Sequence, residues 1–87
     1  MMEELMKFNP YSVTIDFNDH RVVHERDIEM YYGGRENFLD FERCVELNRV
    51  FKVQVYPKGS VGFYTVCASE LQPALQKMCE ALENDKE

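Results

Sequence analysis

Residues 50–67, VFKVQVYPKGSVGFYTVC, decide the fold that this chain can adopt. In the first part of this stretch apolar and polar residues alternate, which is the period of a half-buried strand. Residues 57–60, PKGS, then supply the turn chemistry of a hairpin connection. The stretch therefore predicts an antiparallel hairpin with strands at 50–56 and 61–67.

A helix is predicted on each side of this hairpin. Residues 35–48 contain neither glycine nor proline and place their apolar residues on one broad helical stripe. After the hairpin, Ser69 with a glutamine three residues later is typical of a capping box, although Pro73 at the first helical position would give a later start. The apolar residues of this second helix recur at helical spacing: Leu71, Leu75, Met78 and Leu82.

The first half of the chain predicts a second hairpin. Residues 11–17 alternate cleanly, residues 18–19 are typical turn formers, and a second strand is expected over 21–32, ended by Gly33-Gly34. Within residues 1–10 the sequence favours one short helical turn that Pro10 ends.

These elements give the order (α)ββαββα in one domain of 87 residues, the α+β class. We expect a four-stranded, mostly antiparallel sheet with two helices packed on one face, because that arrangement buries both apolar stripes. Residues 84–87 are expected to form a frayed acidic tail.

Composition excludes several classes of protein. With 45% hydrophobic residues the chain is far from the composition of disordered proteins, and its apolar runs are too short to cross a membrane. The acidic start, Met1-Met2-Glu3-Glu4, is unlike a signal peptide, so we expect a cytoplasmic protein. An odd number of cysteines without close spacing, Cys44, Cys67 and Cys79, predicts reduced core thiols.

Charge is distributed unevenly along the sequence. Residues 16–46 hold nine carboxylates and four arginines, a balance of −5, within a total of −6. Residues 47–69 hold no acid and carry +3, from Arg49, Lys52 and Lys58. Such a pattern indicates how a protein associates with partners rather than how it folds.

The acidic residues fall into patterns that predict a surface for a cationic partner. Alternation along the second strand places three carboxylates and a tyrosine on one face, and the following helix carries two pairs of acids at i,i+4 spacing. The opposing interpretation is a merely solvated face, which is the usual role of charge runs. The predicted partner-binding residues are Glu25, Asp27, Glu29, Tyr31, Glu36, Asp40, Glu42 and Glu46.

Two other motifs do not lead us to predict a metal site or a phosphate site. His20 and His24 have a zinc-like spacing, but on a strand they lie roughly 13 Å apart and cannot share a metal. Gly33-Gly34-Arg35 resembles a phosphate-binding loop only loosely, and Glu36 would repel a phosphate, so a turn with positive φ is favoured. We predict no catalytic residue, metal or cofactor, and the low pI of about 4.9 argues against direct nucleic-acid binding.

The charge pattern leads to one main functional hypothesis. The chain is expected to be a small acidic inhibitor or adaptor that docks on a basic surface of a larger protein, for example one that binds nucleic acid. Phage-encoded anti-defence proteins, including anti-CRISPR inhibitors, act in this general way by mimicking nucleic acid, and the analogy rests on size and charge. The alternative is a homo-oligomeric structural or regulatory module, such as a homodimer in which the basic segment of one copy meets the acidic segment of another.

Overall fold

Three antiparallel strands and three α-helices make up the part of the chain that the computed structural model describes, residues 2–18, 31–59 and 62–84. The class is therefore α+β, as predicted. The helices are α1 (Met2–Met6), α2 (Phe41–Leu47) and α3 (Leu71–Asn84), and the strands are β1 (Ser12–Asn18), β2 (Val50–Tyr56) and β3 (Tyr64–Ala68). A 3₁₀ helix, Arg35–Asn37, precedes α2. The strand order is β1-β2-β3.

The hairpin that the sequence predicted forms the centre of the sheet. Strand β2 has the predicted bounds, and it pairs with β3 so that Val53 lies opposite Val66. The return strand begins at Tyr64, three residues later than predicted, and ends at Ala68. Within the connection Gly59 adopts φ 77°, a left-handed conformation that favours glycine.

One face of the sheet carries the main core, covered by α1 and α3. Because side chains alternate along a strand, Val53 and Val55 of β2 share this face with the β3 residues opposite them. The amphipathic stripe of α3 packs against them, as its spacing predicted. Buried residues of the main core are Leu5, Val53, Val55, Val66, Ala68, Ala74, Leu75, Met78 and Leu82.

The opposite face carries a second, smaller core beneath α2. Val50 and Cys67 have the other strand parity, so their side chains point away from the main core. The second core consists of Phe41, Cys44, Val50 and Cys67, with Tyr32 and Phe38 packed against it. The expectation that both long helices cover one face is therefore not met, since α2 buries its residues in a different cluster from α3.

The predicted helix over 35–48 is interrupted. After the 3₁₀ helix, Phe38 forms a parallel bridge with Cys67, and the backbone N–H of Leu39 donates to the Cys67 carbonyl at 2.9 Å. These sheet-like bonds compete with helical ones, so α2 starts only at Phe41. It ends at Leu47, and Asn48 after it takes the left-handed conformation of a helix C-cap.

Strand β1 lies at an edge of the described sheet. The strand is confirmed one residue later than the predicted 11–17, but the alternation expected of a half-buried strand is seen in burial only at Val13, which packs against the main core. Ile15 and Phe17 share that face but stay 37% and 50% exposed, and Phe17 stacks on Phe51 at 4.3 Å between ring centroids.

A fourth strand is not part of the described structure. Residues 21–30 of that predicted strand lie outside the described residues, and Tyr31 and Tyr32, its last two residues, do not lie in a strand. The predicted acidic tail likewise falls almost wholly outside the described residues, which end at Asn84 within α3.

The ends of helices α1 and α3 agree in part with those that the sequence predicted. Helix α1 spans Met2–Met6, and the chain then turns at Asn9, with φ 53°, just before Pro10. Helix α3 begins at Leu71, which places Pro73 in its first turn, where proline is tolerated. Ser69, predicted as the N-cap, lies two residues before this start and donates its hydroxyl to Asp40 instead.

Candidate functional site: an acidic face on helix α2

The local backbone before α2 is set by two glycines. Gly33 and Gly34 have φ of 79° and 124°, so the predicted turn with positive φ is confirmed. A Cβ at Gly34 would come within 2.6 Å of the Glu36 carboxylate, but this exposed side chain can move aside, so glycine is favoured here by the backbone conformation.

Asp40 does not face a partner, although the sequence placed it in the binding set. Its Oδ1 accepts hydrogen bonds from the backbone N–H of Ser69 at 3.0 Å and from the thiol of Cys44 at 3.7 Å. Its Oδ2 accepts the hydroxyl of Ser69. The carboxylate thus joins the start of α2 to the junction between β3 and α3, and its role is structural.

Glu42 and Glu46 are the acids that α2 presents to solvent. Buried Phe41 and Cys44 define the inner side of the helix, and at 3.6 residues per turn Glu42 and Glu46 lie roughly 130–170° away from it. Their side chains are 86% and 69% exposed. They form the i,i+4 pair that the sequence predicted.

The other predicted acidic pair does not form. Glu36 is exposed, but it lies in the 3₁₀ helix, and α2 begins after Asp40. The two residues therefore do not share a continuous helical turn, so their i,i+4 spacing does not place them side by side on one helix face.

Two arginines accompany the exposed acids. Arg35 pairs with Glu42 at 2.9 Å and also lies over the ring of Phe41, 4.4 Å from its centroid. Arg43 pairs with Glu46 at 3.3 Å across three residues of the helix. Both pairs are exposed to solvent, so each contributes little to stability and can exchange with a partner's cation.

The remaining predicted site residues are placed only in part. Tyr31 is 56% exposed and contacts the ring of Tyr32 edge to face, with centroids 6.4 Å apart. Glu25, Asp27 and Glu29, the proposed carboxylate ladder, lie outside the described residues, as do His20 and His24.

The basic segment is largely occupied within the molecule. The Nε of Arg49 donates to the Ser69 carbonyl at 2.9 Å, and its guanidinium pairs with Glu70. Lys52 lies 3.8 Å from the Asp16 carboxylate and over the ring of Tyr32. Lys58, in the turn of the hairpin, is exposed. The formal +3 of this segment therefore overstates the positive charge that it offers to another molecule.

The three cysteines are free thiols, in agreement with the sequence. Burial raises the pKa of Cys44 and of Cys67 to about 12, and the Asp40 carboxylate adds to the effect at Cys44. Thiols that hold their protons so strongly are poor nucleophiles. Among the described residues no group of three His, Cys, Asp or Glu side chains could hold a metal ion.

Sequence reasoning missed a polar groove between α1 and α3. Leu5 is buried in the main core, and its packing brings the acids of α1 beside those at the end of α3. The groove is lined by Glu4, Lys7, Phe8, Cys79 and Glu83. Burial and the nearby Glu4 carboxylate raise the pKa of the Cys79 thiol. The signal for this contact was Leu5, an apolar residue in the acidic N-terminal segment, and it is the residue that α1 buries.

Comparison with known proteins assigns this chain to no family. No family model, no curated protein and no solved structure matches this chain. In the described part of the chain, no helix has the length and apolar character needed to cross a membrane.

Proposed function

We propose that this protein is a small protein-binding inhibitor or adaptor that docks on a basic surface of a larger partner through the outward face of α2. The observation that carries the proposal is the position of Glu42 and Glu46, which are exposed side by side on a helix whose opposite side is anchored. Glu36, exposed just before the helix, extends the same negative segment. A helix carrying adjacent carboxylates suits the recognition of lysine and arginine.

The exposed ion pairs are compatible with this role. Arg35 and Arg43 hold the two carboxylates in place, and a partner's guanidinium can replace either of them at low cost because both pairs are solvated. Association driven by such charges is expected to be fast and sensitive to salt.

In its finer form, the proposal is that these carboxylates stand in for phosphates in the nucleic-acid channel of the partner. A cytoplasmic phage-type anti-defence or anti-CRISPR inhibitor would act in this way, and the size and net charge of the chain support the idea. The protein itself contacts no nucleic acid in this proposal and catalyses no reaction. The raised pKa of Cys44 and of Cys67 supports a function without a cysteine nucleophile.

A foreign partner is favoured over self-association through charge. A homo-oligomer of the kind considered from the sequence needs the basic segment as its counter-surface. Arg49 and Lys52 are instead bound to Glu70 and Asp16 of the same chain. Of the three cations of that segment, Lys58 is the exposed one.

The experiment is a pull-down from the source cell with three tagged forms of the chain. The first is the wild type, the second carries Glu42→Lys with Glu46→Lys, and the third carries Glu80→Lys with Glu83→Lys. The third form is a matched control, because it makes the same change in charge at two exposed acids of α3. Circular dichroism first verifies that all three forms are folded.

A specific partner should be retained by the wild type and the α3 control and lost by the α2 variant. Its affinity should fall at least tenfold between low and high salt, since several exposed charges are screened. Equal loss in both charge-reversed forms would show a dependence on net charge alone, and equal retention would remove α2 as the docking element. Reversal of Glu25, Asp27 and Glu29 tests the predicted ladder separately.

A further inference from the structure

Residues 35–48 form a strap that lies across the sheet on the side of the second core. Within the described part of the chain, two sets of bonds connect it to β3 and to the residue that follows this strand. The first is sheet-like, through Phe38 and the N–H of Leu39 to Cys67. The second joins Asp40 to the backbone N–H and hydroxyl of Ser69.

The apolar anchorage of the strap is separate from the main core. Of the seven residues of α2, Phe41 and Cys44 are buried, and they pack in the second core on the opposite face of the sheet from α1 and α3. Counted over the described residues, the second core has four buried residues and the main core has nine. Segments with few buried apolar contacts open locally at a lower free energy than the core of a protein.

Asp40 links these two parts of the molecule. Ser69 is itself buried, and it follows directly after Ala68, which belongs to the main core. The two hydrogen bonds from Ser69 to Asp40 therefore tie the strap to a buried residue next to the main core. A carboxylate that accepts both a hydroxyl and a backbone N–H holds its segment more strongly than a neutral side chain would.

We propose that the strap opens as a unit while the main core stays folded, and that the hydrogen bonds between Asp40 and Ser69 are the latch that keeps it closed. Opening exposes the apolar side chains of the second core, so the protein has a closed form and an open form with different surfaces. This inference does not depend on the docking function proposed above.

The three cysteines allow a direct test with a small alkylating reagent. Cys44 and Cys67 are buried in the second core, whereas Cys79 is half-buried on α3 and lines the outer groove. Alkylation with N-ethylmaleimide under native conditions, followed by tryptic digestion and mass spectrometry, gives a rate for each thiol. Cleavage after Arg43, Arg49, Lys58 and Lys77 separates the three cysteines into different peptides.

In the wild type we expect Cys44 and Cys67 to react slowly, at similar rates that depend only weakly on urea. In an Asp40→Asn variant both rates should rise roughly tenfold or more, because hydrogen bonds to charged groups are among the stronger ones. The rate of Cys79 should not change. The urea midpoint measured from helix α3 by circular dichroism should move much less than the alkylation rates.

Two further variants keep the test decisive. Ser69→Ala removes the hydroxyl donor but keeps the backbone donor, so it should accelerate Cys44 and Cys67 in the same direction by a smaller factor. Glu80→Gln, an exposed acid of α3, should change no rate. Alkylation of Cys44 and Cys67 with the same urea dependence as global unfolding would overturn the proposal. If Asp40→Asn does not fold, Ser69→Ala with no acceleration over the Glu80→Gln control would overturn it equally.

Discussion

Replacement of Leu5 by alanine should destabilise the whole domain, although α1 has only five residues. A helix this short is not stable alone, so its docking must depend on the one residue that it buries, and Leu5 is fully buried in the main core. Loss of three carbon groups costs about 2.4 kcal/mol in transfer free energy, at ~0.8 kcal/mol each. The cavity left in the main core adds to this, although a peripheral helix can partly relax into it.

The expected total is about 3 kcal/mol, equivalent to a Tm lower by roughly 12–24 °C for a domain of this size. Because the chain has no tryptophan, far-ultraviolet circular dichroism in a urea or thermal titration is the appropriate assay. Met6→Ala is the control, since Met6 lies on the same helix but is 53% exposed, and its cost should stay below about 0.5 kcal/mol. A cost below about 1 kcal/mol for Leu5→Ala, or equal costs for the two variants, would refute the docking of α1.

Two further predictions concern the strap and the second core. Asn48→Ala should cost about 1 kcal/mol in urea unfolding because φ at this position is 53°, whereas Asn48→Gly should be nearly neutral; equal costs would remove backbone conformation as the cause. The raised pKa of Cys44 and of Cys67 means that the folded chain keeps two protons that the unfolded chain releases near pH 9. Stability should therefore be unaffected by these thiols below that pH and fall as the pH rises toward 12, by up to about 1.4 kcal/mol per thiol and pH unit. A Cys44→Ala, Cys67→Ala variant should lose less between pH 8 and pH 10, and a parallel loss in both proteins would contradict the assignment.

The elements that the sequence predicted well are those where one local pattern had no competitor. Strand β2 has the predicted bounds because its alternation continues until Pro57, and α3 follows the apolar spacing that starts at Leu71. In both elements, the apolar face that the local pattern favours is the face that packs in the main core.

The elements that the sequence predicted poorly are those where tertiary contacts overrode a local pattern. Residues 35–48 have the composition of one helix, but Phe38 and Leu39 bond to Cys67 and shorten it to α2. Neither the parallel bridge nor the second core has a signal in local periodicity, because both depend on residues nearly thirty positions away.

The candidate site was predicted from charge, and charge alone could not separate structural acids from exposed ones. Asp40 and Glu42 look alike in the sequence, yet one accepts hydrogen bonds from buried Ser69 and the other is almost fully exposed. The distinction depends on where α2 begins. In a helix that started at residue 35, Asp40 would have lain within the helix, beside Glu36 on one face.

The fold therefore changes what the charge pattern means for a partner. Residues 47–69 are +3 by formal count, but Arg49 and Lys52 are held by acids that come from outside that segment, Glu70 and Asp16. These pairs neutralise both members locally, and Arg35 and Arg43 do the same for Glu42 and Glu46. The two carboxylates of α2 therefore act on a partner at contact, where its cation can replace an exposed arginine, rather than through the long-range field. It follows that reversal of those two carboxylates should weaken partner binding more than the same change in charge elsewhere at a net charge of −6, which is why the matched reversal on α3 is the decisive comparison.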